Sequence, residues 1–198
     1  MLVFTLGVLC FLLTQIFTRV PLLGWLQDQT GFMVWAMSYP LLSGVLVALS
    51  AGVFEESGRL AIKSLALKPA KSPNWEPIVF GFGHGLCEAI WVLSPLFGMM
   101  SLVGPGQYAL PIVERMLAII MHVGFSVIVW NGFQLNKRWQ YLLLAILAHG
   151  LVNAFIPLAG RWGWGVLQLE GLFAGFALII MIYMFYSKKY YRKEVSYE

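Results

Sequence analysis

Apolar residues run along this chain in long blocks broken by short polar, proline-rich or glycine-rich stretches. A helix needs about 20 apolar residues to cross ~30 Å of hydrocarbon. On that measure the pattern predicts an all-α polytopic membrane protein, a six-transmembrane helix bundle. The expected spans are residues 2–17, 31–67, 78–97, 111–134, 139–157 and 166–186. The first is expected to close at Arg19 and Pro21, and it lacks the basic leader and small-residue cleavage site of a signal peptide. The second exceeds one crossing, with Pro40 as a candidate kink and the excess tilted or lying along the interface. Breaks at residues 68–73, 104–106 and 160–165 carry the Pro, Gly and Trp residues of short loops.

Composition agrees with this pattern: hydrophobic residues make up 60% of the chain, charged residues 11%, and mean hydropathy is +0.78. A soluble domain has no room beside six spans, so residues 1–198 are expected to form a single integral membrane domain. The net charge of +4 comes from basic residues next to span ends, which argues for topology and against nucleic acid as a partner. Lys63, Lys68, Lys71, Lys137, Arg138, Lys188, Lys189, Arg192 and Lys193 would share one side, with Arg19 and Arg161 on the other. By the positive-inside rule both termini are then cytoplasmic. Cys10 and Cys87 fall in apolar runs and are expected to be reduced, buried thiols. Gly171 and Gly175 form a small-xxx-small pair expected to mark close helix packing, and Trp162 and Trp164 are expected to be interface anchors.

The informative exceptions are ionisable residues inside the apolar blocks. Such groups are costly in hydrocarbon unless they face a polar interior. Glu55 and Arg59, His84 and Glu88, and His149 and Asn153 are each four residues apart, while Glu114 and His122 are eight apart. Each set therefore forms a stripe on one helical face. At ~1.5 Å of rise per residue, Glu55, Glu88, His122 and His149 all fall ~15–18 Å from the expected cytoplasmic ends. Four helices thus present polar stripes at one depth, which predicts a water-containing mid-membrane cavity. Taken singly, Glu114 and Arg115 read as a structural clamp, and Glu55, Glu56 and Arg59 as a structural ion-pair set.

Glu55-Glu56-Ser57-Gly58-Arg59 resembles the Glu-Glu-x-x-Arg opening motif of intramembrane glutamic proteases related to type II CAAX prenyl endopeptidases. Gly83 to Ala89, Glu114-Arg115 with His122, and His149 to Asn153 are most similar to the bacterial YhfC branch, which is related to PrsW proteases and to the Aph subunit of gamma-secretase. The resemblance implies an intramembrane endopeptidase of the glutamic type, in a multi-pass protein of a bacterial cytoplasmic membrane. Glu55 and His122 would activate water, and His149 with Asn153 would stabilise the oxyanion. Glu56 is an equal candidate for the base; Arg59, His84, Glu88, Glu114 and Arg115 would support. The substrate would be a membrane-embedded or lipidated peptide or protein. No cofactor is favoured, and no His-Glu-x-x-His helix is present. The alternatives are a zinc-dependent protease using His84, Glu88, His122 and His149, an Aph-like scaffold, and a proton-coupled transporter. Oligomeric state leaves no trace in the sequence.

Overall fold

The computed structural model describes residues 1–67, 71–98 and 106–191. Lys68, Gly104, Pro105, Arg192 and Lys193, which entered the expectations on loops and topology, lie outside these residues. Among the described residues every regular element is helical, and six helices are long and apolar enough to cross a membrane.

The first crossing does not stop at Arg19. α1 (Leu2–Phe11), a π-helical segment (Leu12–Arg19) and α2 (Val20–Gln27) form one continuous helix. Pro21 offers no N–H to the preceding turn and its ring crowds that turn's carbonyl. The helix widens just before it, and Thr18 Oγ1 donates to the Leu13 carbonyl five residues back at 2.6 Å. The second apolar block is two helices, α3 (Thr30–Ser38) and α4 (Pro40–Leu65), separated by Tyr39 at φ −130°, ψ 62°. Pro40 therefore starts a helix instead of kinking one, as its fixed φ and missing N–H favour.

The remaining crossings are α5 (Trp75–Gly98), α6 (Gly106–Gln134), α7 (Arg138–Trp162) and α8 (Val166–Ser187), the last followed by a 3-10 turn at Lys188–Tyr190. Each of α5, α6 and α7 extends beyond its expected span. Pro95, Pro111 and Pro157 lie near helix ends, where the groups they leave unpaired are few. Gly163 ends α7 at φ +70°, a left-handed cap open to glycine without cost.

α6 is the central helix: 56% of its most apolar stretch is buried, against 17% for α8. It packs on α5, α7 and α8, while α4 lies along α7 and α1 along α5. Phe80 and Trp130 join α5 to α6 with ring centroids 5.0 Å apart. Near the face that carries the termini, a buried polar knot ties the bundle together. Lys63 Nζ meets Glu76 Oε1 at 2.5 Å, Trp130 Nε1 donates to the same oxygen at 2.7 Å, and Gln134 donates to the Ser72 carbonyl at 2.7 Å. Lys63, expected to be a topology-setting surface charge, is 1% exposed and belongs to this knot. Cys10 is buried, Cys87 half-buried, and both are free thiols.

α4 and α7 approach through glycine. A Cβ on Gly52 would stand 2.6 Å from the Ile146 carbonyl oxygen, and one on Gly150 would stand 2.8 Å from the Leu49 side chain. Gly171 and Gly175 behave oppositely to expectation: both are exposed on α8, and among the described residues nothing comes within 4 Å of an added Cβ. Gly52→Val should lower the unfolding midpoint of detergent-solubilised protein by several degrees, an overpacking cost of ~1–3 kcal/mol. Gly171→Val should leave it unchanged, and equal midpoints for the two variants would contradict this packing.

Candidate functional site

The site is built around two adjacent glutamates of α4 that face different partners. Glu56 is fully buried, with Oε1 2.6 Å from Arg59 Nη1 and 2.7 Å from His149 Nδ1. Glu55 accepts from the Gln15 amide on one oxygen and lies 2.7 Å from His84 Nε2 on the other. Arg59 completes the join: its Nη2 is 2.9 Å from His122 Nδ1, and its Nε donates to Ser126 Oγ at 3.2 Å. Two carboxylates, a guanidinium and three imidazoles thus pair with one another in the apolar bundle, as buried charge requires, with Glu56 Oε2 and His84 Nδ1 left without a partner among the described residues.

The pairs that form are between helices. His84 and Glu88 share a face of α5, but His84 meets Glu55 of α4, and Glu88 Oε2 lies 2.5 Å from His122 Nε2 of α6. Side chains four apart on one helix run side by side, whereas groups on facing helices meet end to end across the interior. His122 and Glu55 are 3.8 Å apart, close but without a direct hydrogen bond. Arg115 holds the far side of Glu88 at 3.1 Å and also pairs with Glu114, so these two residues do form a clamp. The His149 ring stacks on Phe125 with centroids 4.7 Å apart and planes 10° apart.

A cavity of about 500 Å³ opens beside this cluster. Glu55, Glu88, His122, His149 and Asn153 line it, as do Glu114 and Arg115, whereas Glu56, Arg59 and His84 stand behind the wall. This difference separates the two glutamates, which sequence could not do: Glu55 can reach a bound molecule, and Glu56 anchors Arg59 and His149. Glu170 of α8 is half-buried and outside the lining.

Glu55, His84, Glu88 and His122 could together hold a metal ion, with one ligand atom from each lying within 4.8 Å of the others. This set differs from the one weighed for zinc in the sequence, because Glu55 stands where His149 was expected. His149 is engaged by Glu56 instead. The cavity also has polar walls that the motif search passed over, namely Gln15 and Arg19 of the first crossing. Their signal was present: a carboxamide and a cation one turn apart in an apolar block.

Six apolar helices around a buried cluster of imidazoles and carboxylates define a multi-pass integral membrane protein with an intramembrane polar site. The YhfC intramembrane metalloprotease family matches over residues 1–104 and 93–177, and the chain belongs to that family. It is 30% identical over 151 residues to the uncharacterized membrane protein YhfC of Bacillus subtilis (strain 168), covering 60% of this chain and 57% of that protein. The match therefore spans little more than half the relative's length. No solved structure matches the chain.

The two glutamates should respond differently to substitution. Glu56→Ala leaves buried Arg59 and His149 without their shared partner, at a cost of about 3–5 kcal/mol. Glu55→Gln keeps the side chain's shape and should cost clearly less. Thermal unfolding in detergent measures both, and a larger loss for Glu55→Gln would reverse the assignment.

Proposed function

We propose that this protein is a metal-dependent intramembrane endopeptidase that cuts a peptide bond of a membrane-embedded peptide or protein. The observation that carries this reading is the convergence of Glu55, His84, Glu88 and His122, from three helices, at the edge of the cavity, which all but His84 line. Two imidazoles and two carboxylates fit a zinc-like divalent ion, whose common ligands are nitrogen and oxygen donors of these types. The His84 ring is buried with Nδ1 unpartnered among the described residues and with Nε2 facing Glu55 at 2.7 Å, the side from which it would hold such an ion. The donor set and the family exchange the order of the two mechanisms weighed from sequence, putting metal dependence ahead of glutamate chemistry without a metal.

A catalytic site of this kind uses three protein ligands and leaves one position open, so four donors leave one carboxylate for proton transfer. Glu88 is committed on one side to Arg115 at 3.1 Å, whereas Glu55 is hydrogen-bonded by the neutral Gln15 amide and stands 3.8 Å from Arg59. We assign His84, His122 and Glu88 to the ion and Glu55 to the base. A bound ion supplies Lewis-acid polarisation of the scissile carbonyl and eases deprotonation of water. Glu55 takes the proton of the attacking water and delivers it to the leaving amine. Asn153 and His149 line the same cavity: Asn153 donates to the developing oxyanion as an uncharged amide, which suits charge build-up at low dielectric, while His149, whose Nδ1–H is given to Glu56, donates from Nε2 as the imidazolium. Phe125 and Glu56 fix the His149 ring for that task.

The test is metal content and cleavage measured together on protein in nanodiscs, using a library of apolar membrane peptides. Purified protein should carry about one divalent ion per chain. Cleavage should stop on chelation and return with zinc, and His84→Ala and His122→Ala should lose the ion. Cleavage that survives chelation with no metal recovered would return the mechanism to glutamate alone, and uptake of a solute without any cleavage would make the protein a transporter. Asn153→Ala should retain the ion but lower kcat by about 100-fold, the scale of one lost oxyanion donor.

A further inference from the structure

Arg19 is a charged group of the cavity that the mechanism above does not use. It lies ~25 Å along the first crossing, near the face opposite the termini, within snorkelling distance of that interface. Its side chain turns the other way. Nε donates to Ser50 Oγ at 2.9 Å, Nη1 to Gln15 Oε1 at 3.0 Å and Nη2 to the Val47 carbonyl at 2.7 Å, all from within the bundle. Among the described residues no carboxylate comes within 4 Å of it, although Arg59, Lys63 and Arg115 each have one. A guanidinium has five N–H donors, and these contacts use three, so two remain for a partner in the cavity that Arg19 lines. An inward-turned cation, held by neutral groups on one side and open to a cavity on the other, is built to receive an anion.

The location of that anion follows from Gln15. The Gln15 carboxamide accepts from Arg19 and donates to Glu55, so the guanidinium and the base are separated by one side-chain amide and two hydrogen bonds. That is roughly the reach of two extended residues at ~3.3 Å each. Gln15 and Arg19 both lie on the π segment and both reach α4, Gln15 at Glu55 and Arg19 at Ser50 and Val47. Resting on the endopeptidase reading, we propose that Arg19 is a specificity residue that binds a peptide carboxylate within about two residues of the bond cut at Glu55. The carboxylate is either the chain terminus or an Asp or Glu side chain. Substrates are then cut close to their carboxyl end or beside an acidic residue buried in the bilayer.

Binding measured without turnover tests this separately from catalysis. Protein carrying Glu88→Gln, in phosphatidylcholine nanodiscs, is titrated with a dansyl-labelled apolar decapeptide in three forms: free carboxylate, carboxamide, and carboxamide with glutamate next to last. At least one carboxylate form should bind about ten-fold more tightly than the plain carboxamide, and which one does distinguishes terminus from side chain. Adding Arg19→Gln should erase the difference. Arg19→Lys, which keeps the charge but loses the fork of donors, should retain part of it. Equal binding of all three forms, or discrimination that survives Arg19→Gln in protein with an unchanged unfolding midpoint, would overturn the proposal. So would Arg19-dependent retention of phosphatidylglycerol with no preference among the peptides, because the anion would then be a lipid phosphate. Absence of cleavage by the unsubstituted protein would refute the endopeptidase reading and leave the binding result standing.

Discussion

The buried pair between Arg59 and Glu56 is the interaction on which the rest of the site depends. Both residues are 0% exposed, and each reaches beyond the other: Glu56 to His149 of α7, Arg59 to His122 and Ser126 of α6. One turn of α4 therefore sets the position of rings on two other helices. A lone charge at this depth would cost several kcal/mol, so the pair forms together with its hydrogen-bonding neighbours or the helices do not close. Polar groups here specify which faces of α4, α6 and α7 meet, in a bundle whose exterior is as apolar as its core.

Close helix approach makes that specification possible. Gly81 of α5 lies against α6 so that an added Cβ would stand 2.7 Å from the His122 carbonyl oxygen, and Gly52 and Gly150 let α4 and α7 close in the same way. Short side chains such as Glu and His can meet end to end across the interior only when the backbones are this near. The cavity survives beside them because its wall mixes small residues, Gly44, Ala48, Ala51 and Ala118, with the polar groups. Toward the terminal face the gap is filled by the Lys63, Glu76 and Trp130 knot, so the cavity occupies the other half of the bundle.

Much of the architecture was legible in the apolar blocks, because a bilayer forces backbone polar groups into helices and fixes their length. The misreadings came from proline and glycine, whose effect depends on what surrounds them. Pro21 does not stop the first helix, which absorbs it by widening, and Pro40 begins a helix instead of kinking one. Gly171 and Gly175 carry a packing motif but face away from the rest of the described chain.

By itself the sequence determined that six helices form and that Glu55, Glu88, His122 and His149 lie at a common depth, since spacing along a helix sets both height and face. It could not determine partners. Spacing suggested that His84 would work with Glu88 and left Glu55 and Glu56 equivalent. Tertiary packing crossed the pairs, joining Glu55 to His84 and Glu88 to His122, and turned Glu55 to the cavity while sealing Glu56 behind it. Rotation of one helix about its axis against another decides which oxygen meets which nitrogen, and that angle is a property of the assembled bundle.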